Sequence, residues 1–214
     1  MSSRERVLAR IRRAVGERAE DAAEAYVRDV PRTYLSEHGA RTTAETIDLL
    51  AENLAEYRAL VHRTDADELP YLIMRLLNER WPDTVLVPPF LPPEWMSAAD
   101  PPRIHDRAVS TPQQLDRSGA VVTGCALAIA ETGTIVLDGS PDQGRRRISL
   151  IPDHHICVVR VPDQLVASVP QALARIDPLK PLTWISGPSA TSDIELDRVE
   201  GVHGPRTLQV ILVE

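Results

Sequence analysis

Residues 120–139, AVVTGCALAIAETGTIVLDG, decide how this chain folds. Two apolar, β-prone runs, VVTGCALAIA and TIVLDG, flank a short interruption at Glu131, Thr132 and Gly133. Valine, isoleucine and threonine suit a pleated, half-buried backbone, and a Thr-Gly pair suits a turn. The segment is predicted to form two neighbouring strands joined at residues 131–133, with Val121, Val136 and Leu137 buried. A direct connection of this kind is antiparallel.

Outward from this pair, strands and helices alternate. ALVHR (59–63), TVLVP (84–88), RIHDRAV (103–109), HICVVRV (155–161), LTWISG (182–187) and RTLQVILVE (206–214) read as strands. Val7, Leu8, Ile11 and Val15 recur at helical spacing, with arginines on the other face. Thr42 and Glu45 stand in capping-box spacing, ahead of Ile47, Leu50 and Leu54, in a helix predicted to end near Tyr57. Residues 65–81 form another helix, and STPQQLDR (110–117) a short capped one. PDQLVASVPQALARI (162–176) reads as a helix that Pro170 must kink or divide. This alternation implies βαβ units. The fold class is α/β: a mainly parallel sheet flanked by helices, with one antiparallel element. The expected division is an N-terminal helical extension, residues 1–41, and an α/β domain, residues 42–214.

Composition narrows the function. The formal net charge is −7 and the pI near 5.4, which leaves no basic footprint for nucleic acid. All but one of the 24 basic residues are arginine, Lys180 being the exception, so almost every cation is a planar anion fork. Aromatic residues make up only 4%, so the core must be aliphatic. Cys125 and Cys157 sit singly in apolar runs, without a CxxC or Cys/His cluster, and read as buried, reduced thiols with no metal role. His154-His155 opens a strand, where adjacent side chains point oppositely, so one metal ion is poorly served by the pair. No apolar run has signal-peptide or membrane-span length, so the expectation is a cytoplasmic protein without a membrane span.

Three loops near strand ends carry the candidate chemistry, where ligands of open α/β sheets bind beyond the carboxyl ends of strands. Glu131, Thr132, Gly133 and Thr134 form the first, followed closely by Arg145, Arg146 and Arg147. The arginines can hold an anion or pair with Glu131. The second, SGPSATSDIE (186–195), offers Gly187, Ser189 and Asp193, with a helix start expected at Ser192. The third, GVHGPR (201–206), offers His203 as an acid/base and Gly204 for close approach. Between apolar runs Glu131 is partly desolvated, which suits acid/base work, whereas nearby arginines would keep it ionised as a nucleophile or ligand contact.

Taken together, AIAETGTIVL, GRRRISLIPDHHICVV, ISGPSATSDIE and GVHGPRTLQVILV resemble the signature segments of the lactate utilization protein C family, whose module is the LUD domain. The resemblance is dense in the C-terminal half. It implies the NagB/RpiA/CoA transferase-like fold, shared by glucosamine-6-phosphate deaminases, ribose-5-phosphate isomerases and coenzyme A transferases. It also implies a part in oxidising lactate to pyruvate beside partner proteins that carry iron–sulfur clusters. This chain lacks cluster ligands, so no intrinsic cofactor is expected, and its own ligand is expected to be a small anionic metabolite. Glu131-Thr132-Gly133 is similar to the Glu-Asn-Gly of coenzyme A transferases, with threonine for asparagine. The alternatives are a non-catalytic assembly or regulatory protein, or an acyl-CoA or sugar-phosphate enzyme.

Overall fold

A computed structural model describes residues 2–15, 35–80, 82–107, 110–191, 199–200 and 204–214. Two units emerge, residues 1–35 and 36–214. The first contains helix α1 (Ser3–Val15), on which Val7 and Ile11 are exposed. Among the described residues no helix is long and apolar enough to cross a membrane.

The second unit is built on six strands: β1 (Leu60–Thr64), β2 (Val85–Val87), β3 (Arg103–His105), β4 (Ala120–Thr123), β7 (His154–Arg160) and β12 (Thr207–Val213). Their order is β1-β12-β7-β4-β2-β3, and every pair is parallel. Parallel strands are buried on both faces, and the alternation along β7 shows how. Ile156 and Val158 pack on one face with Leu72, Ile73, Leu76 and Leu77 of helix α3 (Leu69–Asn78). Cys157 and Val159 pack on the other with Leu50 and Leu54 of helix α2 (Thr43–Glu56). Helix α2 begins where the sequence places it. The Thr42 hydroxyl accepts from Glu45 N at 3.3 Å, and the Glu45 carboxylate accepts from Thr42 N at 2.7 Å. Its C-cap is Tyr57.

The run 120–130 is one strand in the sequence reading and two in the structure. The chain leaves the main sheet at Gly124, and β5 (Leu127–Ile129) belongs to a second sheet with β6 (Thr134–Leu137), β8 (Leu165–Val166) and β9 (Thr183–Ile185), ordered β8-β5-β6-β9, while β10 (Ala190–Thr191) pairs antiparallel with β11 (Val199–Glu200). The predicted pair is there: β5 and β6 are antiparallel, and Val121, Val136 and Leu137 are buried. A single 3₁₀ turn, Ala130–Thr132, joins them. β9 runs antiparallel to β6, with Ile185 beside Ile135, so its carboxyl end returns to the hairpin tip. The helix expected over 162–176 is shorter, because Gln164 caps the end of β7 and β8 intervenes. Ser168 then caps helix α5 (Val169–Arg175), accepting from Gln171 N at 3.4 Å, and Pro170 falls in its first turn, where a missing N–H costs nothing. A fourth helix, α4 (Pro112–Asp116), carries a Thr111 capping box.

Gly133 ends the 3₁₀ turn at φ +55, and an added Cβ would lie 2.7 Å from the backbone carbon of Asn53 in α2. Gly39 also has positive φ, +87, but open space around it. Gly133→Ala should therefore cost about 2–4 kcal/mol in urea unfolding, combining strain with overpacking. Gly39→Ala should cost about 1 kcal/mol, from strain alone.

Candidate functional site

The hairpin tip is held from three sides. Asn53 Nδ2 donates to the Ala130 carbonyl at 2.8 Å, and Glu131 N donates to the Ala167 carbonyl at 2.9 Å. Thr134 Oγ1 lies 2.8 Å from both Thr132 Oγ1 and Ser186 Oγ, a row of hydroxyls leading from the tip into the loop after β9.

The Glu131 carboxylate is engaged by residues that the sequence reading counts with the extension. His38 N donates to Oε1 at 2.9 Å, His38 Nδ1 lies 2.9 Å from Oε2, and Arg41 reaches Oε1 at 3.2 Å. Burial pushes the carboxyl up, but the hydrogen bonds from His38 and Arg41 together outweigh it and hold Glu131 below the usual carboxylate range. The pairing with Arg145, Arg146 or Arg147 is not formed. Arg145 forks onto Asp106, with Nε to Oδ2 at 2.7 Å, and onto the Arg107 carbonyl. Arg147 donates to the carbonyls of Arg107, at 3.2 Å, and of Ser110. The reason is local: residues 146–149 form a 3₁₀ turn, and about three residues per turn send consecutive side chains in three directions. Of the three, Arg146 alone lines the cleft beside Trp184 and Ser186, and among the described residues its guanidinium makes no hydrogen bond or ion pair.

That cleft, of about 310 Å³, is lined by Arg146, Ser149, His155, Trp184, Ser186, Gly187, Ser189 and Gly204. It brings together parts of all three regions named by the sequence: the arginine run, the 186–189 loop and Gly204. It lies at the carboxyl end of β9 but at the amino ends of β7 and β12, because the antiparallel second sheet turns β9 back across the main one. Gly187, at φ +81, lets its loop sit against Tyr57, where a Cβ would overlap the carbonyl oxygen; Ser189 N donates to the Pro205 carbonyl at 2.9 Å. Glu131, Thr132 and Gly133 stand outside the cleft, and Thr134 reaches it only through Ser186. Asp193, His203 and the expected helix start at Ser192 lie outside the described residues.

His155 is the cleft residue that sequence reasoning weighed only as a metal ligand. Its Nε2 lies 2.8 Å from Thr123 Oγ1, and burial, then the neighbouring His154, pushes its pKa down to about 3. His154 points to the opposite face of the sheet, 3.1 Å from Gln209 Oε1, and burial pushes its pKa down to about 4. The alternation that argues against a shared metal thus places one imidazole in the cleft and the other in the core. Among the described residues no group of three or more His, Cys, Asp or Glu side chains is placed to hold a metal ion, and Cys125 and Cys157 are buried free thiols.

A sequence profile of the LUD domain matches residues 18–213. The chain belongs to the LUD-domain family. It is 48% identical over 181 residues to lactate utilization protein C of Deinococcus radiodurans, covering 79% of this chain and 80% of that one. To the protein of the same name from Bacillus licheniformis it is 34% identical, over 67% of this chain and 58% of the relative. The crystal structure of a DUF162 family protein from Deinococcus radiodurans superposes with a TM-score of 0.68 at 41% identity, over 82% of this chain and 100% of that one. The LUD-domain match and this structural likeness agree with the α/β architecture.

Both buried imidazoles are neutral in the folded chain and titrate near pH 6.5 once unfolded. As pH falls from about 6.5, the unfolded chain binds protons that the folded chain refuses, so stability drops by about 1.4 kcal/mol per pH unit for each imidazole until the folded pKa is reached. Urea unfolding between about pH 6 and pH 4.5 should show this slope, and His155→Gln should remove about half of the histidine part.

Proposed function

We propose that this chain is a component of lactate (2-hydroxy acid) oxidation to pyruvate, working in the cytoplasm beside iron–sulfur partner proteins and binding a small anionic metabolite in the cleft. The names of its LUD-domain relatives support the pathway. The observation that carries the site is Arg146, a guanidinium without a protein partner among the described residues, facing the hydroxyls of Ser149, Ser186 and Ser189. Arginine matches a carboxylate or phosphate fork, and the glycine at 187 brings backbone close to the same space. His155 adds a neutral imidazole at the floor, able to donate or accept a hydrogen bond without competing for the anion.

One observation favours a binding role over acyl transfer. In an acyl-transfer reading Glu131 attacks a thioester, which requires a free carboxylate oxygen. Here both oxygens are engaged by His38 and Arg41, outside the cleft. Glu131 then acts as the pin that fastens residues 38–41 to the hairpin tip.

Trp184 lines the cleft and is 40% exposed, so its fluorescence reports occupancy. Titration with L-lactate, phosphate, ribose 5-phosphate and coenzyme A should give saturable quenching for at least one of them, absent in Trp184→Phe. Removing a charge-assisted hydrogen bond by Arg146→Ala should weaken that binding by about tenfold to a hundredfold. The same substitution should slow lactate-dependent growth of a host that relies on this gene. Binding and growth indifferent to Arg146→Ala would contradict the reading.

A further inference from the structure

The opposite end of the main strands carries a second arrangement that the cleft does not use. β4 ends at Thr123, and the chain turns out of the sheet at Gly124, whose N–H donates to the Asp142 carbonyl at 3.0 Å. A Cβ at position 124 would overlap Asp142 Oδ2, so only glycine lets that carboxylate lie against the strand end. β7 ends at Arg160, and Gln164 ties the two strand ends together. Its Oε1 accepts from Arg160 N at 2.8 Å and its Nε2 donates to the Cys125 carbonyl at 2.6 Å. The frame is therefore fixed by hydrogen bonds.

Between these ends lies a hollow of about 290 Å³, at the small end of ligand pockets. Most of its polar lining is already engaged. Asp138 pairs with Lys180 at 2.6 Å and accepts from Ser140 N at 3.0 Å. Arg175 donates to the carbonyls of Asp163, at 2.6 Å, and Leu165, at 3.3 Å. Asp142 and Arg160 are different. No other described residue donates to the Asp142 carboxylate, the Arg160 guanidinium has no partner among the described residues, and the two do not pair with each other. Burial pushes the Asp142 carboxyl up, against its own backbone N–H and the more distant Arg160. An incompletely satisfied, half-buried carboxyl is costly unless something donates to it.

We propose that this hollow is a second small-molecule site, in which Arg160 holds the carboxylate of a small acid and Asp142 accepts a hydrogen bond from a hydroxyl or ammonium group next to that carboxylate. The two protein groups face one space with opposite charge and do not meet, which suits a ligand carrying both complementary groups. A guanidinium fork matches a carboxylate, and a carboxylate accepts from either donor. The residues that line this hollow and those that line the cleft do not overlap.

Calorimetric titration of the full-length Arg146→Ala chain, in which the cleft has lost its anion fork, with L-lactate, glycolate, L-alanine and propionate tests this. A 2-hydroxy or 2-amino acid should bind at least about tenfold more tightly than propionate, which lacks the second group. The tighter of the hydroxy and amino arms identifies that group. In that Arg146→Ala background, Asp142→Asn and Arg160→Gln should each weaken the remaining binding by at least about tenfold. The melting temperature of Asp142→Asn should stay level or rise, since a poorly paired charge is removed. No saturable binding of any probe up to about 10 mM, affinity indifferent to both substitutions, or unfolding of Asp142→Asn would each overturn the proposal.

Discussion

The last turn of α2 is the surface on which the second sheet is seated. Asn53 holds the Ala130 carbonyl through its side chain, while its backbone meets Gly133 too closely for any Cβ. Four residues on, the Tyr57 carbonyl meets Gly187 in the same way. Two glycines in left-handed conformation, 54 positions apart in sequence, thus bring the hairpin tip and the loop after β9 onto one helix end. A side chain at either position would lift the small sheet away from the large one, and the cleft between Arg146 and the 186–189 loop would lose a wall.

From that seating follows the placement of charge. Glu131 stands at the tip, where desolvation alone would favour its neutral form; His38 and Arg41 keep it ionised and tie the segment before α2 to the tip. Arg146 is left facing the cleft because its neighbours are drawn to Asp106 and to the carbonyls of Arg107 and Ser110. At the other end of the main strands, Gly124 admits Asp142 by the same device of a missing Cβ. The sheet therefore presents polar hollows at both ends of β7, one opposite a neutral imidazole and one opposite a carboxyl.

Much of this is readable along the chain, because it depends on neighbours in sequence. The capping boxes at Thr42 and Thr111, the alternation along β7 and the turn at residues 131–133 each rest on residues within four positions of one another. What could not be read depends on distance or on a change of period. AVVTGCALAIA has one continuous β pattern, and nothing in it signals that Gly124 passes the chain from one sheet to another. His38 lies 93 residues from Glu131 and carries no local sign of that contact. Arg145, Arg146 and Arg147 read as one cluster, but a 3₁₀ turn separates them, and only one reaches the cleft. Ser168 ahead of Val-Pro was the available signal that α5 starts there; a continuous helical spacing concealed it.

The grip of α2 on the hairpin tip positions the 186–189 loop. Amide hydrogen exchange of Asn53→Ala measures this most directly, because the substitution removes the bond to Ala130 and leaves the helix intact. Amides of Ile185, Ser186 and Gly187 should exchange at least about tenfold faster, while Val158 and Ile211 in the main sheet keep their protection. Equal acceleration in both sheets, or no change at residues 185–187, would contradict the account.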